Sequence, residues 1–449
     1  MKLPDGFINT VPLPETEISD FQEALGGKSR PSFRVNPFKA KPVALFERVP
    51  WCQTGYYLDN RPRYTSIPPF HAGALYPQEA SSMFIAHILK QLDLSSEPII
   101  SLDLCAAPGG KTTLMQTELH KNSLIHANET IQSRFGTLVE NLTKWGVPNV
   151  LMSNNDPSQF AGLEDFYDLI LVDAPCSGEG LFRKQKDAVN QWSTRSVEHC
   201  SARQKRILAD ILPSLRAGGV LIYSTCTFNR LENEENLKWL KSQNSIEFVD
   251  VDISAYLGIQ EVEEDGIKAY RFFPHKVHGE GFFCSIIRKS NPNRPKKVKL
   301  KKRSLKLIRD FERYSLIEFA ETLFAVQENQ LNALERLVGH FKKSVKPGIE
   351  MGRVLRDTLK YSHGRAMLVC SQDHEFELKK LSLAQSLKYL KKEDIPMKAS
   401  SGRFFVQFNG FNLGFAKSDS RRLISQYPKS WRILNAKEEE YTALVESLK

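Results

Sequence analysis

Short apolar runs alternate with amphipathic, helix-like segments between about residues 99 and 289. This alternation is typical of a parallel sheet with helices on both faces. The runs predict strands at Ile99–Leu104, Ser123–Asn128, Asn149–Ser153, Asp168–Val172 and Gly219–Ser224. The intervening segments predict helices at Thr112–His120, Thr130–Trp145 and Ser196–Leu215, and two antiparallel edge strands are expected near Arg271–Phe273 and Gly281–Arg288. A doubly wound α/β domain is therefore the expected core.

The segment before this core predicts a first, mixed unit over residues 1–90. Its expected elements are a helix at Glu15–Leu25, a strand at Ser32–Lys39 and an ordered, proline-rich loop at Thr65–Gly73. A further helix is expected from Tyr76 through Leu92, with Pro77 in its first turn, where a proline is well tolerated.

A change in composition follows the core. Residues 290–306 contain eight lysines or arginines and no acidic residue. Such a run suits either a solvated connector or an arm that contacts RNA. Beyond it, the pattern from Ile308 to Lys343 predicts amphipathic helix.

The end of the chain predicts a small mixed domain. Phe404–Phe408 and Phe411–Phe415 flank Asn409-Gly410, which is a strong signal for a β-hairpin with a type I′ turn. The expected units are 1–90, 91–289, a basic linker at 290–307, a helical or mixed region at 308–380 and a last domain at 381–449.

Composition narrows the class of protein. The 449 residues carry a formal net charge of +10, which suits a polyanionic partner such as nucleic acid. Seven scattered cysteines without a CxxC pair predict neither a metal site nor a disulfide framework, and they favour a reducing compartment. No apolar run approaches the ~18 residues of a membrane span, and the first residues lack the order of a signal peptide. We therefore expect a cytoplasmic protein with no membrane contact.

The first strand of the core runs into a glycine-containing turn, Asp103-Leu104-Cys105-Ala106-Ala107-Pro108-Gly109-Gly110-Lys111-Thr112. A strand, a tight turn and a helix N-terminus present free N–H groups, which is how doubly wound sheets hold nucleotide-like cofactors. The spacing matches neither G-x-G-x-x-G nor the phosphate-binding loop, which argues against an NAD-dependent enzyme. The turn alone could also be a plain strand-to-helix connection.

Acidic residues end or follow the first four predicted strands: Asp103, Glu129, Asp156 and Asp173. Glu129 comes about 20 residues after the glycine turn, where an acid can accept both hydroxyls of a ribose. Any one of these acids is more simply a solvated loop residue. Four of them at the same edge, around one glycine turn, indicate a binding site.

Two cysteines, Cys176 and Cys226, lie in loops at this predicted edge. A thiolate there could act as a carbon nucleophile if cations or helix N-termini lower its pKa. Cys105 lies in the turn itself, where a small residue is needed, and is interpreted as structural. The same packing role is expected of Cys52, Cys200, Cys284 and Cys370.

Three runs, Cys105–Thr112, Asp173–Gly178 and Ser224–Thr227, together resemble motifs I, IV and VI of the Sun-type RNA 5-methylcytosine methyltransferases. Tyr76–Met83 and the run from Phe273 to Phe283 extend the resemblance over roughly residues 30–290. Gly414–Lys417 and Tyr427–Arg432 are similar to the PUA-like RNA-binding module in the tail of RsmF-like enzymes. The resemblance implies an α/β, Rossmann-like S-adenosylmethionine-dependent core, an α+β N-terminal RNA-binding unit and a C-terminal PUA-like module.

The resemblance also implies a role for each matching residue. Cys226 would add to carbon 6 of cytosine and so make carbon 5 nucleophilic enough to accept a methyl group, and Cys176 would assist release of the product. Asp173 would contact the base edge or the adenine side of the cofactor, and Lys111 would lie near the pyrimidine. The implied S-adenosylmethionine contacts are Cys105, Ala106, Ala107, Pro108, Gly109, Gly110, Lys111, Glu129, Asp156 and Asp173.

The expected substrate is RNA, and 16S ribosomal RNA, free or within the small ribosomal subunit, is the leading choice. The enzyme is expected to be a monomer. Transfer RNA is an alternative because the motifs do not separate the two. A non-catalytic RNA-binding assembly factor is a second alternative, against which the intact Cys226, Cys176 and Asp173 argue. A DNA cytosine methyltransferase would carry its nucleophile in the Pro-Cys of motif IV and would leave Cys226 unexplained.

Overall fold

A computed structural model describes residues 2–290, 305–311, 314–342, 344–355, 358–369 and 376–436, together with 444, 446 and 448. Most of the predicted basic linker at 290–307 and the whole of Cys370 lie outside the described residues. Within the described ranges, none of the helices has both the length and the apolar character needed to cross a bilayer.

The N-terminal unit is a small antiparallel sheet flanked by helices. Its elements are α1 (Glu15–Gly26), β1 (Ser32–Val35), β2 (Gly55–Tyr57), α2 (Pro68–His71), β3 (Leu75–Pro77) and α3 (Phe84–Gln91). The strand order is β2-β1-β3. The short helix α2 lies within the segment that the sequence predicts to be a loop, so that part of the prediction is wrong.

The helix predicted from Tyr76 is also wrong over its first half. Tyr76 and Pro77 lie in β3, where Tyr76 pairs with Arg34 of β1. The helical turn starts later because the Glu79 carboxylate accepts the backbone N–H groups of Ser81 and Ser82, at 2.8 Å each. A carboxylate in that position satisfies the first free N–H groups of the helical segment and so fixes where it begins.

The core is a large mixed sheet whose strands follow the predicted order. Its elements are β4 (Ile100–Asp103), α4 (Gly110–Glu118), β5 (Leu124–Asn128), α5 (Gln132–Trp145), β6 (Val150–Ser153), β7 (Tyr167–Asp173), α6 (Lys186–Gln191), α7 (Thr194–Ile211), β8 (Leu215–Thr225), α8 (Glu234–Gln243), β9 (Ile246–Phe248), β10 (Gln260–Glu264), β11 (Ile267–Phe272) and β12 (Phe282–Lys289). The five predicted parallel strands and the antiparallel edge are confirmed.

The strand order in this sheet is β10-β11-β12-β8-β7-β4-β5-β6. Strands β8, β7, β4, β5 and β6 are mutually parallel, so their carboxyl ends meet at one edge. Fully buried residues such as Leu102, Ile170 and Leu221 explain the continuous apolar runs, since a parallel sheet covered on both faces has no solvent-facing side. Helices α3 and α4 cover one face of the sheet, and α7 covers the other.

The segment after the linker forms a second sheet instead of the predicted helix. Its elements are β13 (Lys306–Phe311), β14 (Tyr314–Phe319), β15 (Thr322–Val326), α9 (Leu331–Phe341), β16 (Val345–Lys346), β17 (Ile349–Leu355), β18 (Thr358–Tyr361) and α10 (Gly364–Met367). Among the described residues of this segment, α9 is the α-helix that agrees with the predicted helix. In β14 the alternation of buried and partly buried residues has the period of a half-buried strand. Strand β16 pairs with β6 and so attaches this module to the edge of the core sheet.

The C-terminal domain is a mixed sheet around the predicted hairpin. Its elements are β19 (Glu377–Lys380), α11 (Leu383–Lys391), β20 (Ile395–Pro396), β21 (Gly402–Phe408), β22 (Phe411–Ser418) and β23 (Arg422–Ser425). Asn409 and Gly410 both have positive φ, as a type I′ turn requires, and the hairpin prediction is confirmed. One apolar cluster contains residues of this domain and of the N-terminal unit, so the two ends of the chain pack on each other.

Candidate active site

The glycine turn lies between the end of β4 and the start of α4, at the carboxyl edge of the parallel strands. Gly109 has a φ of 110°, which a residue with a Cβ rarely adopts. The Ala106 N–H donates to the Asn128 carbonyl at the end of β5, at 2.8 Å. The side chains of Arg134 and Asn141 on α5 donate to the carbonyls of Ala107 and Pro108. The turn is therefore held by the next strand, β5, and by the helix after it, α5.

An ion pair links the start of α4 to the end of β7. Lys111 Nζ lies 2.7 Å from Asp173 Oδ2, and the two side chains are 14% and 34% exposed. Burial acts to lower the pKa of Lys111, but the attraction of Asp173 outweighs it and the pKa is raised. Lys111 thus keeps its charge at the floor of the site. Ser224, opposite Asp173 on β8, donates to the other carboxylate oxygen at 2.9 Å.

Asp103 lies behind this pair and is fully buried. Burial raises the pKa of Asp103 to about 7; the hydrogen bond from Thr112 opposes this shift, while the charge of Asp173 adds to it. One carboxylate oxygen accepts from Thr112 Oγ1 at 2.6 Å, and the other, Oδ1, is buried without a hydrogen-bond partner. A buried acceptor left open at the cavity is suited to a donor on a bound molecule.

Cys176 and Cys226 meet at this edge, with their sulfur atoms 3.0 Å apart. The parallel pairing of β7 with β8 brings the two loops together, since Cys176 lies three residues after the end of β7 and Cys226 directly follows β8. The neighbouring Cys226 sulfur and burial together raise the pKa of the Cys176 thiol well above its usual range. Cys176 therefore keeps its proton and can donate it toward Cys226. Burial raises the pKa of Cys105 as well, which fits the structural role predicted for it.

The glycine turn and one of the two cysteines share a single open cavity of about 560 Å³. Its walls come from the N-terminal unit, the glycine turn and the loops after β7, β8 and β11. The lining includes Tyr76, Gln78, Glu79, Asp103, Cys105, Ala106, Ala107, Pro108, Gly110, Lys111, Arg134, Asp173, Lys184, Gln185, Cys226, Glu280 and Phe282. Lys111 also lies over the Phe282 ring, 5.6 Å from its centroid. The cavity is thus cationic and aromatic on the cysteine side.

The remaining predicted residues lie around this cavity, outside its lining. Glu129 is buried at the end of β5; its Oε2 is 3.4 Å from Arg134 Nη1 and accepts no hydrogen bond. Asp156 caps a short 3₁₀ turn through Ser158 and pairs with Arg206. The Asp156 carboxylate is engaged within the chain, whereas Glu129 accepts a backbone N–H through Oε1 and keeps Oε2 without a hydrogen bond.

Arg34 of β1 is a site residue that sequence reasoning missed. Its guanidinium, fully buried, donates to Gln78 Oε1 at 2.7 Å and to the Gly110 carbonyl at 2.9 Å. It therefore joins the N-terminal sheet to the glycine turn. A lone arginine in a strand pattern gives no local signal of this role, because the contact spans 76 positions of sequence.

Family models match three parts of the chain: the N-terminal unit, the core and the C-terminal domain. A model of the family described as 16S rRNA methyltransferase RsmB/F matches residues 90–288. Models of the N-terminal domain of 16S rRNA methyltransferase RsmF and of the methyltransferase RsmF PUA domain match residues 3–80 and 378–433. Ribosomal RNA small subunit methyltransferase F of Vibrio vulnificus YJ016 is 30% identical, over 95% of this chain and 97% of its own length. The chain belongs to the 16S rRNA methyltransferase RsmB/F family.

Other RsmB/F relatives and solved structures agree with this assignment. The Escherichia coli O157:H7 (strain EC4115) protein of the same name is 30% identical over 95% of this chain and 96% of its own length. A methyltransferase homologue from Pyrococcus horikoshii is 30% identical with a TM-score of 0.51, over 63% of this chain and 93% of that one. NSun6 from the same organism, crystallised with SFG, is 22% identical with a TM-score of 0.53, over 64% and 98%; that likeness bears on the fold alone.

These findings confirm the Sun-type, RsmF-like resemblance, the Rossmann-like methyltransferase core and the PUA-like C-terminal module. The class of enzyme, a methyltransferase, is confirmed with them at the level of the RsmB/F family. The domain boundaries and the roles of individual site residues stay predictions.

Proposed function

We propose that this protein transfers a methyl group from S-adenosylmethionine to carbon 5 of a cytosine in RNA, with 16S ribosomal RNA as its substrate. The observation that carries the proposal is the pair of sulfurs 3.0 Å apart beside the Lys111–Asp173 ion pair, at the edge where the glycine turn lies. The names of the relatives support the substrate, since those proteins are called ribosomal RNA small subunit methyltransferase F. Such a substrate would place the protein in the cytoplasm, where we expect it to act as a monomer.

The residues around the turn fit the cofactor. Asp103 Oδ1 and Glu129 Oε2 are buried acceptors without a hydrogen-bond partner, which suits an ammonium group and ribose hydroxyls. The turn from Cys105 to Lys111 would hold the cofactor against the end of β4, and Asp173 would face its adenine side or the base. Asp156, which lies outside the cavity lining, would contribute to cofactor binding from there. When bound, S-adenosylmethionine supplies an electrophilic methyl group.

Carbon 5 of cytosine needs activation before it can attack a methyl group. In the proposed mechanism the Cys226 thiolate adds to carbon 6, which makes carbon 5 enamine-like. Lys111 and Cys226 line the same cavity, and a cation there would attract the negative charge that the sulfur carries as it attacks. Asp173, held by Lys111 and Ser224, would contact the base edge and favour ring protonation as the thiolate adds.

Release requires loss of the proton from carbon 5 and elimination of the Cys226 sulfur. Cys176 is the group beside Cys226 that can take part, either as the base or through a water molecule. To act as the base, Cys176 would first have to lose its own proton. Its raised pKa disfavours that loss until the Cys226 sulfur is bound to carbon 6 and no longer carries a negative charge. The target base would have to be single-stranded or flipped from its stack to enter the cavity.

The test uses purified protein, tritiated S-adenosylmethionine and unmethylated bacterial RNA, separated into 16S, 23S and transfer RNA, with isolated small subunits as a further substrate. Label in 5-methylcytosine of one fraction identifies both the reaction and the substrate. Cys226→Ala should abolish turnover and keep cofactor binding. Cys176→Ala should instead accumulate a covalent RNA adduct that resists denaturing gels.

Cys200→Ala is the matched control, because Cys200 lies on α7 and not in the cavity lining. It should methylate at the parental rate. Normal turnover by Cys176→Ala would contradict the role of Cys176 in release. Label in transfer RNA alone would replace the proposed substrate, and cofactor binding without label in any RNA or subunit would favour the non-catalytic assembly factor.

A further inference from the structure

Two glutamates that the proposed mechanism does not use lie directly behind the cysteine pair. Glu179 follows Cys176 by three residues, and Glu232 follows Cys226 by six. Both are 0% exposed, and neither lines the cavity. Burying a carboxylate is costly unless its oxygens are hydrogen-bonded, so the contacts of these two residues show what their burial supports.

Glu179 lies on the Cys176 loop and holds the Cys226 loop. Its Oε2 accepts the backbone N–H groups of Phe228 and Asn229, at 2.7 and 3.0 Å. Its Oε1 accepts from the Asn229 side chain and from Trp192 Nε1, both at 2.9 Å. Both oxygens are thus occupied by N–H donors, and two of the four donors are backbone groups just after Cys226.

Glu232 makes the reverse connection. It lies on the Cys226 loop, and its Oε2 accepts the backbone N–H of Ser177, the residue after Cys176, at 3.0 Å. The same oxygen accepts from Gln204, whose side-chain amide also donates to the Pro175 carbonyl. Glu232, in the other loop, therefore holds the backbone after Cys176, and Gln204, on α7, holds the carbonyl before it and contacts Glu232.

Asn229 links the two carboxylates. Its Nδ2 donates to Glu179 Oε1 and Glu232 Oε1, at 2.9 and 2.8 Å. The N–H of Gly180, next to Glu179, donates to the Cys226 carbonyl at 2.8 Å. The two cysteine loops are thus joined by polar contacts in both directions, and moving either loop would break several of them.

We propose that Glu179 and Glu232 are positioning residues that keep the Cys176 and Cys226 sulfurs in contact. Glu179 lies in the Cys176 loop and holds the Cys226 loop. Glu232 lies in the Cys226 loop and holds the Cys176 loop. A well-packed apolar side chain would fill the same space without the cost of burying a charge. What an apolar side chain cannot do is fix backbone N–H groups of a second loop. The consequence for catalysis rests on the proposed function, but the positioning itself does not.

The test measures the spacing of the sulfurs directly. Diamide oxidises the two thiols to a disulfide and takes up the two protons and two electrons itself, and peptide mapping follows the formation of the Cys176–Cys226 bond. Glu179→Gln and Glu232→Gln each place an N–H where an N–H donor now points, which pushes the loops apart. Since about 1 Å of misplacement can cost about 100-fold in rate, we expect crosslinking to slow by at least about tenfold.

Asp168→Asn is the matched control. Like the two glutamine substitutions, this one removes the negative charge of a carboxylate that accepts a backbone N–H, here that of Ile100. Asp168 lies at the opposite end of β7 from Asp173, away from the cysteine loops. This variant should crosslink at the parental rate even if it is less stable. If the glutamine variants fail to fold, Trp192→Phe removes a single donor to Glu179 and should slow crosslinking to a smaller extent.

Methylation kinetics give the second readout. We expect kcat to fall with the crosslinking rate in Glu179→Gln and Glu232→Gln, while KM for S-adenosylmethionine stays unchanged. Folded variants that crosslink and methylate at parental rates would overturn the proposal. Slower crosslinking in a protein whose parent methylates no RNA would leave the positioning role intact and refute the proposed function instead.

Discussion

Gly180 is the point at which the Cys176 loop touches two other backbone segments, and substituting it should separate them. A Cβ at this position would lie 2.8 Å from the carbonyl oxygen of Cys226 and 2.8 Å from that of Gly281. Ordinary van der Waals contact begins at 3.4 Å. Both neighbours are backbone atoms, so neither can rotate away as a flexible side chain would.

The size of the effect follows from this shortfall of about 0.6 Å in Gly180→Ala. Overpacking of this kind typically costs about 1–3 kcal/mol of stability. The displaced group is the carbonyl of Cys226 itself, and about 1 Å of misplacement can cost about 100-fold in rate. We therefore expect kcat to fall roughly tenfold or more.

The assay compares kcat at saturating RNA and S-adenosylmethionine with the free energy of unfolding in urea. Gly136→Ala is the control: Gly136 lies in the middle of α5, and its Cβ would meet no atom within 4 Å. That variant should gain about 0.5–1 kcal/mol of stability, since alanine is preferred to glycine in a helix, and keep the parental kcat. Parental kcat and stability in Gly180→Ala would refute the reasoning, because the backbone approach would then not constrain the cysteine loops.

Two further predictions concern buried charges. The pKa of Asp103 in the folded protein, about 7, is above its ordinary value of 3.8, so the folded state binds the extra proton and stability should fall as pH rises between about 4 and 7. The three-unit difference sets an upper limit of about 4 kcal/mol, and Asp103→Asn should flatten the urea stability profile over that range; an unchanged profile would contradict the assigned burial effect. Glu234 and Arg271 form a buried ion pair, so Glu234→Gln should cost about 3–5 kcal/mol in urea unfolding. The double variant with Arg271→Met should recover much of that loss, and a single-variant cost below about 1 kcal/mol would argue against a desolvated pair.

The parts of this protein that the sequence determined are those encoded locally. The apolar runs around Leu102 and Ile170 predict buried parallel strands because both faces of each strand are covered. The turn at Gly109 and the hairpin at Asn409-Gly410 are set by residues whose backbone preferences are their own. The positions of Cys176 and Cys226 at the sheet edge follow from the strand order of a doubly wound fold.

Where local signals are ambiguous, the prediction from sequence was wrong. The hairpin between β14 and β15 turns through Ala320 and Glu321, both with positive φ. Alanine and glutamate are not typical turn residues, so the sequence shows no break there and the amphipathic pattern predicts a helix. At Tyr76 the partner strand decides the structure. Pairing with Arg34 of β1 uses the backbone hydrogen-bonding groups that a helix would otherwise have used.

The site itself depends on contacts between residues far apart in the chain, which only the tertiary structure decides. The sulfur contact spans 50 positions, and the bond from Arg34 to the glycine turn spans 76. Glu179 directly follows the run Asp173–Gly178, and Glu232 lies five residues after the run Ser224–Thr227, yet the role of each depends on which loop it contacts. The sequence determined which residues stand at the edge of the sheet. Tertiary packing decided which of them are in contact, because the local backbone preferences of a segment do not determine which distant residue a buried polar group will bind.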